Sequence, residues 1–451
     1  MKNKNIFKRF LTSLVMLLFL WVVFMITKTV FERKENNNLN YIPPNADFAV
    51  RINAKELVES SLFSILFENQ DDKIISKIKE AIEKKNDKME KFQNNSVDYL
   101  SDIVVFSSPF KDGKIIGFAL NISNYTLFKD KMNDFSNKNQ FVEVIDNVGF
   151  ILTYITNGSS NSLKKDDLVT FFEKNIKTIT PKVNPKLNAE SKSIFQFFTN
   201  GNVLGKNTSF SKSTTQLKLI DTGLQLDGLL LISDKKMTPS KRIIFSSKKD
   251  FNFYSSIIPK TLQDSIDYYC KKSEIMIPNL KSISFTYKGM NIINDDIGMH
   301  LLPQIDLLLD FKTELSASDL LKDSPLLKML GAEYSNNQLN IAGQIYYINQ
   351  IDKTTISIGI SKSPVINNNT KNELFAVKGN LSPILKVEGG GLIMTLLEIV
   401  PAYKTSKELF KNVETFDISI KKINSKKATL KGNLKFQKGH SALNEILKVL
   451  L

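Results

Sequence analysis

Two histidines, His300 and His440, and one cysteine, Cys270, are all that the 451-residue chain offers in imidazole and thiol chemistry. A zinc site built from the usual nitrogen and sulfur ligands would need all three of them from distant positions. No H-E-x-x-H pair occurs, and no G-x-S-x-G elbow is present to place a serine nucleophile. His440 stands between Gly439 and Ser441 and reads as a turn residue before a helix cap, and His300 follows a loop containing Gly298. The glycine run Gly389-Gly390-Gly391 is followed by Leu392-Ile393-Met394. A phosphate-binding loop needs a lysine and a hydroxyl there, so a flexible break between helical pieces is the better reading. Asn294-Asp295-Asp296 lacks the distal glutamate of a calcium loop and reads as an exposed turn. No catalytic, cofactor-binding or metal-binding residue is therefore expected, and no cofactor. Binding is favoured over catalysis.

Binding surfaces are easier to find. The chain carries 31 phenylalanines, and Phe195-Gln-Phe-Phe198 and Phe251-Asn-Phe-Tyr254 place aromatic rings at alternate positions. Such segments form either ordinary core or an apolar groove for a lipid or a partner peptide. The formal charge of +15 argues less for nucleic acid than it first suggests. Seven basic residues and one acid fall in the first 34 positions, and the whole chain has only four arginines, Arg9, Arg33, Arg51 and Arg242. Guanidinium is the better fork for phosphates and base edges, so a lysine-rich solvated surface is expected, with no nucleic-acid partner.

The elements that must position these residues begin with an apolar run. From Phe10 to Ile26 the only polar side chains are Thr12 and Ser13, and extension through Phe31 gives about 20 residues, the length of a membrane-crossing helix. Lys2, Lys4, Lys8 and Arg9 precede it without an acid. By the positive-inside rule this predicts an uncleaved signal anchor with the N-terminus in the cytoplasm. A cleaved signal peptide is the rival, disfavoured by the long run and by the absence of a small-residue cleavage site. The expected order is a cytoplasmic tail over 1–9, a transmembrane helix over 10–31, a tether over 32–40, and two α+β halves over 41–235 and 250–451.

Alternation at Phe48, Val50 and Ile52 predicts a strand, and the spacing of Leu57, Val58, Leu62 and Ile65 a helix after it. Hairpins are predicted over 102–121, over 141–155 with Asp146-Asn147 at the turn, over 217–232, and over 416–437. Asn124 is placed to cap a helix. The second half repeats this order, with strands over 281–288, 304–312, 338–349 and 354–361. The fold class expected is α+β: an N-terminal transmembrane helix, then antiparallel sheets with helices packed on one face, in two related halves.

The opening Ile42-Pro-Pro-Asn-Ala-Asp-Phe-Ala-Val-Arg-Ile-Asn53 and the closing Gly432-Asn-Leu-Lys-Phe-Gln437 with Ser441-Ala-Leu-Asn-Glu-Ile-Leu447 resemble uncharacterised, membrane-tethered bacterial envelope protein families. The resemblance covers the two ends of the exported region. It implies an envelope location and an α+β fold, and no mechanism. Anchor and resemblance together predict a single-pass protein of the bacterial inner membrane with its C-terminal region periplasmic or otherwise extracytoplasmic. Its expected role is binding or scaffolding in the cell envelope, with the membrane and an envelope protein or lipid as partners. The alternatives are an envelope hydrolase without a recognisable motif, or a lipid or lipoprotein carrier.

Overall fold

The computed structural model describes residues 37–57, 96–98, 101–135, 140–156, 165–178, 187–188, 191–200, 209–220, 223–233, 237–245, 250–258, 263–264, 267–268, 278–295, 298–318, 332–369, 371–380, 412–438 and 442. The chain divides into two compact units, the first made of Met1–Ala46, Arg51–Glu59 and Met89–Ser191 and the second of Asp47–Val50, Ser60–Lys88 and Lys192–Leu451. Strand β1 (Phe48–Ile52) contributes to both.

In the first unit, β2 (Ile103–Phe110) and β3 (Gly113–Asn121) form a hairpin through Lys111, whose positive φ of 50° closes the turn. Alternate residues point inward: Val104, Phe106 and Ser108 are buried on β2, and Ile115 and Ala119 on β3. Gly117 faces Phe106, and a Cβ at Gly117 would lie 2.1 Å from that ring, so the missing side chain makes room for the aromatic one. Helix α1 (Tyr125–Phe135) starts at the predicted cap, where the Leu127 amide donates to Asn124 Oδ1 at 3.1 Å. Strands β4 (Gln140–Ile145) and β5 (Val148–Thr156) turn at Asp146 and Asn147, with φ of 47° and 64°, the pair of left-handed residues a tight hairpin requires. Helix α2 (Lys165–Phe172) continues as a π-helical turn over Glu173–Lys177 and buries Leu168, Phe171, Phe172 and Ile176. The Phe172 ring meets Phe141 at 5.3 Å and Phe150 at 5.5 Å.

The second unit contains β6 (Phe195–Asn200), β7 (Phe210–Ile220), β8 (Gly223–Ile232), β9 (Arg242–Ile244), β10 (Phe251–Ser255), β11 (Leu280–Asp295), β12 (Gly298–Phe311), β13 (Glu333–Ser335), β14 (Gln338–Ile341), β15 (Gln344–Asp352), β16 (Thr355–Gly359), β17 (Ile366–Asn368), β18 (Glu373–Gly379), β19 (Val413–Lys422) and β20 (Lys427–Phe436). Antiparallel ladders place them in the order β6-β7-β8-β20-β19-β18-β10-β11-β12-β16-β15-β14-β13. Strands β9 and β17 pair separately as a two-stranded ribbon. One core cluster gathers Phe311, Leu339, Tyr346, Ile348 and Ile356, and others gather Leu230, Ile232, Leu374 and Ala428, and Val413 and Phe436.

The expected α+β architecture is thus corrected. Strand predominates among the described residues, and the described helices α1 and α2 both belong to the first unit and form no layer over a face. The physical reason is that apolar alternation runs through far more of the chain than the strands expected from it. Strand β7 starts at Phe210, ahead of the hairpin expected over 217–232, and the strand expected over 281–288 continues to Asp295. The single-pass membrane anchor and the inner-membrane placement built on it are corrected as well: no helix among the described residues is long and apolar enough to cross a membrane. Residues 10–31 lie outside the described residues, as does most of the helix expected from Leu57, Val58, Leu62 and Ile65.

Candidate functional site

Side chains directly opposite one another on paired strands share a face of the sheet. Following the register across the second unit therefore sorts its residues into two sets. From Phe195 and Phe197 on β6, one face passes through Leu217 on β7, Leu226 on β8, Gly432 on β20, Ile418 on β19 and Val377 on β18. It continues through Phe253 on β10, Phe285 on β11, Leu307 on β12 and Ile358 on β16. No charged side chain interrupts that path. The middle of it carries a chain of rings: Phe416 to Phe251 at 5.7 Å, Phe251 to Phe285 at 5.9 Å, Phe285 to Phe253 at 5.1 Å and Phe253 to Phe375 at 5.7 Å. The two phenylalanine segments singled out in the sequence thus contribute to one face. Phe251, Phe253, Phe285, Phe375, Ile418 and Leu226 are only half-buried there.

Tyr287 is a polar residue on this face, opposite Phe251 and Ile305. It is 7% exposed, and its hydroxyl has no hydrogen-bond partner among the described residues. Burial alone pushes its phenol above the ordinary value.

The other face of the same strands is polar and, over β10, β11 and β12, more deeply buried. Asn252, Ser282, Ser284, Thr286, Asp306 and Asp310 are all buried, which requires that their polar atoms be satisfied. The β9–β17 ribbon supplies part of that. Ser284 Oγ donates to the Ile244 carbonyl at 3.0 Å and accepts from the Ile244 amide at 2.9 Å. Ser240 Oγ donates to Asp310 Oδ2 at 2.9 Å, and the Ser240 amide donates to the hydroxyl of fully buried Tyr254 at 2.8 Å. Thr286 Oγ1 donates to Asn252 Oδ1 at 2.8 Å.

Two charged groupings lie on this polar face. In one, Asp306 accepts from Lys288 Nζ at 2.8 Å, from the Ser361 amide at 2.9 Å and from Ser361 Oγ at 2.6 Å, with Lys288 Nζ also 3.3 Å from Ser361 Oγ. A Cβ at Gly359 would come 2.4 Å from Asp306 Oδ1, so the glycine lets the carboxylate lie flat against the next strand. The serine's hydrogen goes to the aspartate while the lysine donates to both. This is a closed hydrogen-bond set, without a base free to activate Ser361. In the other, a cleft of about 400 Å³ is lined by Ser240, Lys241, Arg242, Lys281, Asp310, Asp352, Lys353, Thr354 and Thr355. Lys281 Nζ lies 3.1 Å from Asp310 Oδ2, and Arg242 donates to Asp352. Burial pushes the Asp352 carboxyl up, but hydrogen bonds from the Thr354 amide and the Thr355 and Thr354 hydroxyls, with the charge of Arg242, outweigh it and hold the group below the usual range.

The first unit has a buried ion pair of its own. Arg51 donates from Nε to Asp102 and from Nη1 to the carbonyls of Asn188 at 2.6 Å and Ser191 at 3.1 Å. Its guanidinium is thereby taken up in fastening chain segments distant in sequence. Of the residues tried for chemistry in the sequence, His300 lies on β12 opposite Ile293, and Asn294 and Asp295 end β11. Cys270, His440 and Gly389 to Gly391 lie outside the described residues. Among the described residues no group of three or more His, Cys, Asp or Glu side chains could hold a metal ion. Sequence reasoning missed the cleft, because its walls come from positions up to 115 residues apart, Ser240 and Thr355.

No family model matches the chain, and no curated protein matches it either. Among solved structures, crystal form I of TP0453 is similar at 9% identity and a TM-score of 0.27, over 56% of this chain and 92% of that one. Crystal form IV of TP0453 is similar at 11% identity and a TM-score of 0.24, over 45% of this chain and 83% of that one. Likeness at these scores carries no argument about fold or function.

Proposed function

We propose that the chain is a binding protein whose second unit takes a lipid acyl chain on its apolar sheet face. The observation that carries this reading is the partial exposure of Phe251, Phe253, Phe285 and Phe375 in the middle of a path on which no charged side chain stands. Extended apolar surface on a folded protein marks a site for an apolar partner. From β6 to β12 the path crosses eight inter-strand steps, roughly 40 Å along the sheet at ~4.8 Å each. One leaflet's acyl chain fills about half of a ~30 Å hydrocarbon layer, so the face is long enough for it. Lipid binding is one form of the binding role expected from the sequence. The hydrolase alternative gains nothing from Ser361, Lys288 and Asp306, whose hydrogen bonds are used among themselves.

The test is displacement of a fluorescent fatty acid from the full chain, with native mass spectrometry to count bound lipid. Saturable binding is expected, and the double substitution Phe253→Ser with Phe285→Ser should weaken it by about tenfold or more, equivalent to ~1.4 kcal/mol. Circular dichroism checks that the variant is folded. Absence of saturable binding, or equal binding by a folded double variant, would overturn the reading.

A further inference from the structure

The cleft on the polar face owes nothing to the apolar one, since it is lined by Asp310, whose side chain lies across the sheet from the phenylalanines. Four cations meet in it, Lys241, Arg242, Lys281 and Lys353, against two carboxylates. Gathering like charges around an open space is unfavourable unless something anionic enters it. The two carboxylates are already engaged: Asp310 accepts from Ser240 and Lys281, and Asp352 from Arg242 and the Thr354 amide. They orient Arg242 and Lys281 without balancing the other two cations. Lys241 makes no ion pair among the described residues, and Lys353 reaches only Glu314, a pair whose side chains are 80% and 69% exposed and which therefore holds the lysine weakly.

We propose that this cleft binds a phosphate group carried by a small organic molecule. The guanidinium of Arg242 offers a fork suited to phosphate oxygens, the lysines add point charges, and the hydroxyls of Thr354 and Thr355 line the same space. The volume of about 400 Å³ exceeds what a bare phosphate fills, leaving room for the organic part. A divalent cation fits poorly, because both carboxylates already hold positively charged partners.

The experiment is isothermal titration of the full chain with inorganic phosphate and with pyrophosphate, alongside sedimentation with phosphatidate vesicles. Pyrophosphate should bind saturably at physiological salt. Lys241→Gln, at a side chain without an ion pair, should weaken it about fivefold, the loss expected for one partly solvated charge contact. Lys435→Gln removes an exposed lysine paired with Glu414, away from the cleft, and should leave binding unchanged. Equal weakening by the two substitutions would show general attraction to a basic surface and overturn the proposal. Failure of both phosphate and pyrophosphate to bind at millimolar concentration would overturn it too, as would binding confined to the vesicles.

Discussion

Along β10 and β11, neighbouring residues of one strand have opposite surroundings. Asn252, Ser284 and Thr286 are buried, while Phe253 and Phe285, one step away, are half-exposed. An antiparallel sheet with one wet face normally places its apolar residues inward and its polar residues outward. Here the polar side is the covered one, with the β9–β17 ribbon over it and hydrogen bonds filling the demand that burial creates. Fully burying a phenylalanine stabilises by about 1.5–3 kcal/mol, and the ring chain on the other face forgoes part of that. Over β10 and β11 the contrast separates two tasks: the polar side is bonded to the ribbon, and the phenylalanines opposite keep contact area in reserve, whereas farther along the same apolar face Leu230, Ala428, Ile348 and Ile356 are packed into core.

If that division is right, the largest losses of stability come from the polar face. Asp306→Ala removes the shared acceptor of Lys288 and Ser361 and should cost about 2–3 kcal/mol in urea unfolding, at or below the low end for breaking a buried pair because Lys288 is 29% exposed. A loss below about 0.5 kcal/mol would place Asp306 among the surface pairs and weaken the comparison. Next comes Tyr254→Phe, which deprives the Ser240 amide of its acceptor and Asn369 Nδ2 of a third, longer contact at 3.4 Å. About 1–2 kcal/mol is expected, the penalty for a buried donor left without a partner.

The hairpins that build these faces were legible where turn chemistry is local. Asn124 was placed as a cap and caps, and Asp146-Asn147 was placed at a turn and both residues adopt positive φ. The sequence reading stopped short where a bulge intervened. Between Tyr287 and Gly289 the register with β12 shifts, with Gly289 at φ 134°, so the apolar alternation changes phase although the strand goes on to Asp295. Residues 338–349, read as one strand, fold back at Ala342 and Gly343, whose φ of 47° and 83° make a turn that the small residues signalled and the reading passed over. The burial of the polar face was not legible at all. Its bonds join Ser284 to Ile244 and Ser240 to Asp310, 40 and 70 positions apart, and single polar residues in a strand look the same whether water or a ribbon covers them.

The smallest effect is expected from the phenol on the other face, and it tests the comparison most closely because the chemistry changed is identical. Tyr287 lies on β11, the strand that pairs with β10, where Tyr254 stands, yet its hydroxyl meets no acceptor or donor among the described residues. Tyr287→Phe removes a buried group that gains nothing in the folded state, so stability at neutral pH should be unchanged or higher by up to about 1 kcal/mol. The pH dependence gives the sign independently. Burial raises the folded Tyr287 phenol above its unfolded value, near 10. Its contribution is therefore complete below pH ~10 and is lost as pH rises toward the folded value, where the unfolded chain ionises first. Tyr287→Phe should retain more of its stability between pH 8 and pH 11 than the parent, in paired urea titrations. Tyr254→Phe should also flatten that alkaline loss, because burial raises its phenol too, but from a lower starting stability. A Tyr287→Phe variant as damaged as Tyr254→Phe would mean that the two faces are held together alike.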